Sequence, residues 1–393
     1  MRMKRDYQTH VFTSTYTADV SGVCSAMYEL GGMTVLHDPS GCNSTYSTHD
    51  EPRWFDTDSL MFVSGLDEIT AVMGDDQVLI RDVVQAARDL NPRFITLCGA
   101  SIPHIIAFDY RGVSYLIEKE CGLPVLPVPT DGLKSYTSGV GLALTAWLER
   151  FADPGEHEEA PERSVNLIGV TPLDFSVNDN VPCLRRAFED AGFRVNCCMA
   201  MGEGFEQMTH AYRARVNVVV SSAGYRPAKL MQRRSGIPVV EGLPIGPSGT
   251  ERVLDAVRMT LRDGQSRSAW ESFANSGRWT VPPGGILVIG EEVFAKSLAS
   301  VINALPAEAR MGLAACPFWP DEDEGIPEAE LINAVRGSRV VIADPLYKVI
   351  LPRDADTRFI PMPHEAYSGR IFRASLPVFC GPRFSVESLL QNG

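Results

Sequence analysis

The stretch SGVCSAMYELGGMTVLHDPSGCNS, residues 21–44, decides how the rest of the chain reads. Ser21 is placed to cap a short helix around Cys24, and Gly31–Gly32 to end it. MTVLH is a short apolar run and predicts a buried strand. DPSGC then reads as a turn built on Asp38, Pro39 and Gly41. Cys42 follows that turn, and a third cysteine, Cys98, ends the run PRFITLC. Ligands of open α/β sheets gather at the carboxyl ends of strands, so Cys42 and Cys98 are expected on one side of one sheet. Cys24, read at a helix N-terminus, is expected to have its thiol pKa lowered by the helix dipole. An iron–sulfur cluster needs soft thiolates at fixed geometry. Each cysteine taken alone reads better as a small buried apolar side chain. The three turn placements together put the cluster reading level with that one.

Working outward, strands and helices alternate. SLMFVSG reads as a strand, residues 78–90 as a helix, PRFITLC as a strand and VSYLIEKEC as a helix. LPVLPVPT is a Pro-interrupted strand, and YTSGVGLALTAWLERF a long helix. This alternation predicts an α/β fold with a doubly wound parallel sheet. ADPGEHEEAPER, residues 152–163, reads as a linker. A second unit follows, with strands VNLIGV, FRVNCCMA, VNVVVSS and IPVVEGLP and helices near 181–191, 205–214 and 224–235. Residues 265–285 form a second break. ILVIGEEVFAKSLASVINAL opens a third unit, with RMGLAACP and RVVIADP as further strands. The expected domains are 1–151, 164–264 and 284–393. Residues 1–20 read as an arm or edge strand.

The chain has 393 residues, 45% apolar and 22% charged, which suits a soluble globular protein of two or three domains. A net charge of −13 argues against nucleic acid and against anionic membrane surfaces as partners. No apolar run is long enough to span a bilayer. No apolar h-region follows MRMKRDYQTH, so no signal peptide is read and a cytoplasmic location is expected. Nine cysteines in such a chain point to metal binding, catalysis or burial rather than disulfides.

SGVCSAMYELGGMTVLHDPSGCNS is similar to the N-terminal pattern of nitrogenase component 1 subunits. There, one cysteine opens a helix and a second follows a strand and a Gly-containing turn. SGLDEITAVMGDDQVLIRDVVQAARDLNPRFITLCGAS resembles the family's next segment, which ends in the third cysteine. IGVTPLDFSVNDNVPCLRRAFEDAGFRVN and ARVNVVVSSAGYRPAKLMQRRSGIPVV are similar to its second domain. The resemblance implies three Rossmann-like domains and a two-fold or pseudo-two-fold dimer. It implies a [4Fe–4S] cluster, or a larger P-cluster-like one, between subunits. Cys24, Cys42 and Cys98 match the ligand positions of one subunit and leave a fourth site to the partner. That partner is a second copy or a paralogue, in a homodimer, heterodimer or heterotetramer. Electrons are expected from a separate ATP-dependent iron–sulfur reductase. This chain itself carries no GxxxxGK[ST] phosphate loop, and its nearest stretch, GPSGTERV at 246–253, lacks the lysine.

Departures from the family pattern narrow the expectation. The chain is shorter than nitrogenase subunits, and its first two cysteines are closer, 42 − 24 = 18 positions apart. Neither Cys183 nor Cys316 matches the cysteine of the pair that anchors the iron–molybdenum cofactor. The expected member is compact and does not fix nitrogen. It is an oxidoreductase subunit passing electrons through the cluster to a substrate in an interdomain cleft. A scaffold for metallocofactor assembly and a cluster-free small-ligand binding protein are the alternatives.

Other residues are candidates of a second rank. His37 and Asp38 adjoin the Cys42 turn and either tune the cluster, relay protons or shape the turn. His49 and Arg53, in STHDEPRW, line an interface or pocket, or a solvated loop. His104 reaches the active cavity or sits in the core. His364, with Glu365 and Tyr367, forms a polar C-terminal cluster suited to general acid chemistry. Cys197 and Cys198 are adjacent on a strand, point to opposite faces and read as structural.

Overall fold

The computed structural model describes residues 11–39, 50–270, 284–319, 328–352 and 356–392. Within them lie three parallel sheets flanked by helices. The first holds β1 (Met33–His37), β2 (Leu60–Val63), β3 (Ile95–Gly99) and β4 (Val125–Pro127), in the order β2-β1-β3-β4. The second holds β5 (Ser164–Ile168), β6 (Arg194–Met199), β7 (Val216–Val219), β8 (Val239–Glu241) and β9 (Arg267–Ser268), in the order β6-β5-β7-β8-β9. The third holds β10 (Ile286–Ile289), β11 (Ala315–Phe318), β12 (Val340–Ala343) and β13 (Arg358–Pro361), in the order β11-β10-β12-β13. The two-residue β9 and the short β13, RFIP, fall where the sequence shows no strand-like run.

In every sheet the first strand is central, and the chain passes to one side of it and then to the other. Such a reversal opens a crevice at the carboxyl ends of the two middle strands. Those ends carry His37, Asp38 and Cys98 in the first sheet. In the second they lead into Thr171, Asp174 and Ser222, and in the third into Glu291 and Asp344.

The pleat of the first sheet sorts its residues onto two cores. Met33, Val35, Ile95 and Leu97 pack beneath the helices Asp76–Leu90 and Tyr110–Cys121. Leu36 and Cys98 point the other way, into a continuous core that runs on through the second and third sheets. Asp76–Leu90 is a helix for ordinary reasons. Leu79, Ile80, Val83, Val84 and Ala87 recur at helical spacing on its buried face, and Asn91 ends it with φ 48°.

The helix Asp19–Met27 covers Cys98's side of the sheet, and all nine of its residues are buried. It crosses the helix Tyr136–Phe151 with almost no separation. A Cβ on Gly22 would lie 2.0 Å from the Tyr136 carbonyl oxygen, and one on Gly139 would lie 1.9 Å from that of Asp19. Ser21 does not cap this helix. The helix starts at Asp19 after Ala18, and Ser21 is buried within it.

Residues 11–18 form an arm. The backbone N–H groups of Phe12 and Thr13 each donate to Glu328 Oε1 at 2.7 Å, on the third unit. The stretch expected to be a linker forms a short 3₁₀ turn, Pro154–Glu159. It is tied to the second unit, with Glu156 3.0 Å from His210 Nδ1 and 3.1 Å from Arg213 Nη2.

Candidate thiol site and interdomain cleft

Cys24 is the sixth residue of its helix, not its first, so the helix N-terminus does not act on the thiol. Burial pushes its pKa strongly upward, and the nearby Glu51 charge adds to this. The expected depression of the Cys24 pKa is therefore reversed. Cys98 sits opposite Leu36 in the β1–β3 ladder, with Sγ 3.8 Å from the Val35 carbonyl oxygen. Burial raises its pKa well above the ordinary thiol value, and charge on Cys24 and on Asp19 raises it further. The two thiols thus share one core, and charge on Cys24 bears on Cys98.

Cys42 and His49 lie outside the described residues. Among the described residues no group of three or more His, Cys, Asp or Glu side chains is placed to hold a metal ion. The donors that are described, two soft thiols on facing elements, fit an iron–sulfur cluster in kind. As free thiols they are protonated here, and coordination would remove those protons.

His37 is buried, with Nδ1 2.9 Å from Ser64 Oγ and its ring 4.4 Å from that of Phe108. Burial lowers its pKa to about 4, so it is neutral near pH 7. The carbonyl oxygen of the buried Asp38 accepts a hydrogen bond from Leu66 N–H at 3.1 Å, which fixes the exit from β1. His104 is not a core residue. It lies exposed on the one-turn helix Ser101–Ile105, where only Pro103 is buried.

Arg53 does not sit on a solvated loop. It is 3% exposed and anchors a network of polar groups around the Cys24 helix. Its Nε lies 2.7 Å from Glu51 Oε1, and its Nη1 2.8 Å from Glu29 Oε1. Its Nη2 donates to the Ser25 carbonyl at 2.9 Å, and its Nη1 to that of Ala200 at 3.3 Å. Ser25 Oγ completes the ring by donating to Glu51 Oε2 at 3.0 Å. Sequence reasoning missed this network because its members are scattered from Ser25 to Ala200 with no spacing to connect them.

His364 is buried where the three units meet. Its Nε2 lies 3.3 Å from Asp174 Oδ1, and that oxygen accepts a hydrogen bond from the Tyr16 hydroxyl. Thr171 Oγ1 donates to Asp174 Oδ2 at 2.8 Å. His364 Nδ1 has no hydrogen-bond partner among the described residues. Close by, Glu291 accepts from Ser222 N–H at 2.7 Å and Phe294 N–H at 3.0 Å. Burial, with the Asp174 charge, raises the Glu291 pKa to about 7. Cys197 and Cys198 do face opposite ways. Cys197 Sγ meets Met208 Sδ at 3.3 Å, while Cys198 lies beside Arg185.

A cleft of about 490 Å³ opens between the N-terminal end of helix Tyr136–Phe151 and helix Tyr225–Ser235, with Ser222 and Glu292 on its wall. Gly141 brings the two helices together, since a Cβ there would lie 3.2 Å from that of Arg226.

This architecture is that of an α/β protein with three parallel sheets, with a buried thiol pair at the first and a polar centre where the carboxyl ends of the second and third meet. Residues 22–279 match the family model described as nitrogenase component 1 type oxidoreductase, and the chain belongs to that family. It is 26% identical over 255 residues to a nitrogenase iron-molybdenum cofactor biosynthesis protein NifE of Methanococcus maripaludis, covering 62% of this chain and 51% of that protein. It is 24% identical over 262 residues to a light-independent protochlorophyllide reductase subunit of Prosthecochloris aestuarii, covering 64% and 47%. It is 23% identical over 191 residues to the nitrogenase molybdenum-iron protein alpha chain of Methanosarcina barkeri, covering 48% and 35%. The chain thus spans about half or less of the length of these relatives. The solved structure called "Nitrogenase Cp1 at pH 6.5" shares the fold. Its TM-score is 0.66 at 14% identity, covering 100% of this chain and 93% of that one. No helix among the described residues is long and apolar enough to cross a membrane.

Proposed function

We propose that this chain is the catalytic subunit of a nitrogenase-like reductase that does not fix nitrogen. Cys24, Cys42 and Cys98 would hold an iron–sulfur cluster at a subunit boundary, with a fourth ligand from a second copy or a paralogue. The cluster supplies one-electron chemistry when bound, fed by a separate ATP-dependent iron–sulfur reductase. The substrate would occupy the interdomain cleft. The observation that carries this reading is the pairing of Cys24 and Cys98. They lie on facing elements, in one core, beside the strand that leads into the Cys42 segment. A reductase subunit among the relatives supports it.

The chain's own residues have definite parts in this scheme. The Arg53–Glu51 network holds the Cys24 helix against the second unit. Neutral His37, buried against Phe108, excludes water from the end of β1. His364 and Asp174 face each other at the junction of the units, with Nε2 3.3 Å from Asp174 Oδ1.

Relatives named as cofactor biosynthesis proteins favour a second reading, a scaffold on which a metallocofactor is assembled. Anaerobic purification followed by iron and sulfide analysis and electron paramagnetic resonance tests both readings. A colourless, iron-free protein would leave only the cluster-free binding protein. Turnover with the reductase and ATP separates an enzyme from a scaffold, which would instead release a metal-containing cargo to an acceptor.

A further inference from the structure

The cleft beside helix Tyr225–Ser235 carries a cluster of cations in a molecule whose net charge is negative. The protein carries a net −13, yet Arg226, Lys229 and Arg233 all line this one cleft. They fall at i, i+3 and i+7 and so share a single helix face. None of the three is paired with a carboxylate among the described residues, whereas their neighbour Arg234 is, at 3.5 Å from Glu149. The one acid on the wall, Glu292, is engaged by Lys296. Opposite the cations, Ser135 and Ser138 stand at the N-terminal end of the helix Tyr136–Phe151, whose dipole adds positive potential. Ser222 supplies a further hydroxyl, at the carboxyl end of β7. Cations in a concave site, hydroxyl donors and a helix N-terminus together describe a receptor for oxyanions.

We propose that this cleft binds a small molecule carrying two or more oxyanion groups, and, resting on the reductase reading, that this molecule is the substrate. Helical rise puts Arg226 and Arg233 about 10 Å apart along the axis, so the anionic groups are spread across the ligand rather than gathered on one phosphorus. Phosphate and carboxylate groups both satisfy these donors. The wall also offers the aliphatic stems of the three cations and the Tyr225 ring to a hydrocarbon body between the anionic groups.

The test is equilibrium binding to the full chain by titration calorimetry at low and at moderate salt. Tripolyphosphate serves as the phosphate probe and trimesate, a benzene tricarboxylate, as the carboxylate probe. At least one should bind, more weakly as salt rises. Binding of only one identifies the anion class. The triple variant R226Q/K229Q/R233Q should bind about tenfold more weakly or worse, with a flatter salt dependence. The remote surface change K119Q should bind as the unaltered protein does. Circular dichroism and melting confirm that each variant is folded. No binding of either probe, or equal affinity in the triple variant, overturns the proposal. Iron content measured on the same preparations reads the other proposal separately. Anion binding in a chain that never takes up iron keeps this site and removes the reductase. An iron-loaded chain that ignores both anions removes this site alone.

Discussion

Arg53 Nε lies 2.7 Å from Glu51 Oε1, and both side chains are sealed from solvent beside the helix that carries Cys24. A buried ion pair is weak evidence for stability, because desolvating two charges offsets most of their attraction. Removing one partner is a different matter, since a charge is then left buried and unpaired. Arg53→Ala should therefore destabilise the protein by roughly 3–5 kcal/mol, read as the denaturant midpoint. In a variant still folded at low temperature, iron content should fall as well, because Ser25 and Ala200 lose the donor that holds them.

The crossing of helices Asp19–Met27 and Tyr136–Phe151 tolerates no side chain at Gly22 or Gly139. Either Gly→Ala change drives a methyl to within 2.0 Å of a backbone oxygen, and backbone cannot rotate away. A cost of about 1–3 kcal/mol or more is expected from overpacking. Gly74→Ala is a contrasting control for space, with nothing within 4 Å of its Cβ. It should show only the cost of its positive φ, 65°. Thermal melting of the three variants checks this.

Glu291 makes stability depend on pH. Burial and the Asp174 charge raise its pKa from 4.5 to about 7, so the folded protein holds this proton more tightly than the unfolded chain does. The stability contributed by the bound proton is complete below the unfolded value and is lost as pH rises through the folded one. Between about pH 4.5 and 7 the folded state binds more protons, so this group lowers stability as pH increases. The loss should be on the order of 2–3 kcal/mol and complete above about pH 7. Glu291→Gln loses one acceptor for Phe294 or Ser222 and starts lower, but its stability should lack this component. The difference between the two proteins should shrink from about pH 5 to about pH 8, and a constant difference would refute the assignment.

The thiols make two separable predictions. Cys24→Ala, Cys42→Ala or Cys98→Ala should abolish iron uptake during anaerobic reconstitution, whereas Cys197→Ala should not. In iron-free protein, Cys24 and Cys98 are buried with raised pKa values, so they should alkylate far more slowly than the partly exposed Cys121. Peptide mass spectrometry after iodoacetamide treatment reads the order directly. Fast alkylation of Cys24 would show that the core around it is open.

The alternation of apolar runs and helical spacing determined the sheet–helix succession by itself, because both are local properties of the chain. MTVLH, PRFITLC, VNLIGV and ILVIG became the strands β1, β3, β5 and β10, and YTSGVGLALTAWLERF became a helix from Tyr136 to Phe151. The resemblance that named the family rested on those same local patterns. Only the tertiary structure decided where each candidate side chain sits. Cys24 lost its expected helix N-terminus because the helix begins at Asp19, which the backbone N–H groups of Asp131 and Gly132 hold from more than a hundred residues away. Arg53 went inside because Glu29, Glu51 and Ala200 converge on it. His104 stayed outside because its helix is a single turn with one buried residue. The cationic face of Arg226, Lys229 and Arg233 could be traced along one helix, but the cleft it lines is made by the helix across from it. Spacing encodes faces and turns, whereas burial, pairing and pKa depend on atoms that only folding brings within a few ångströms.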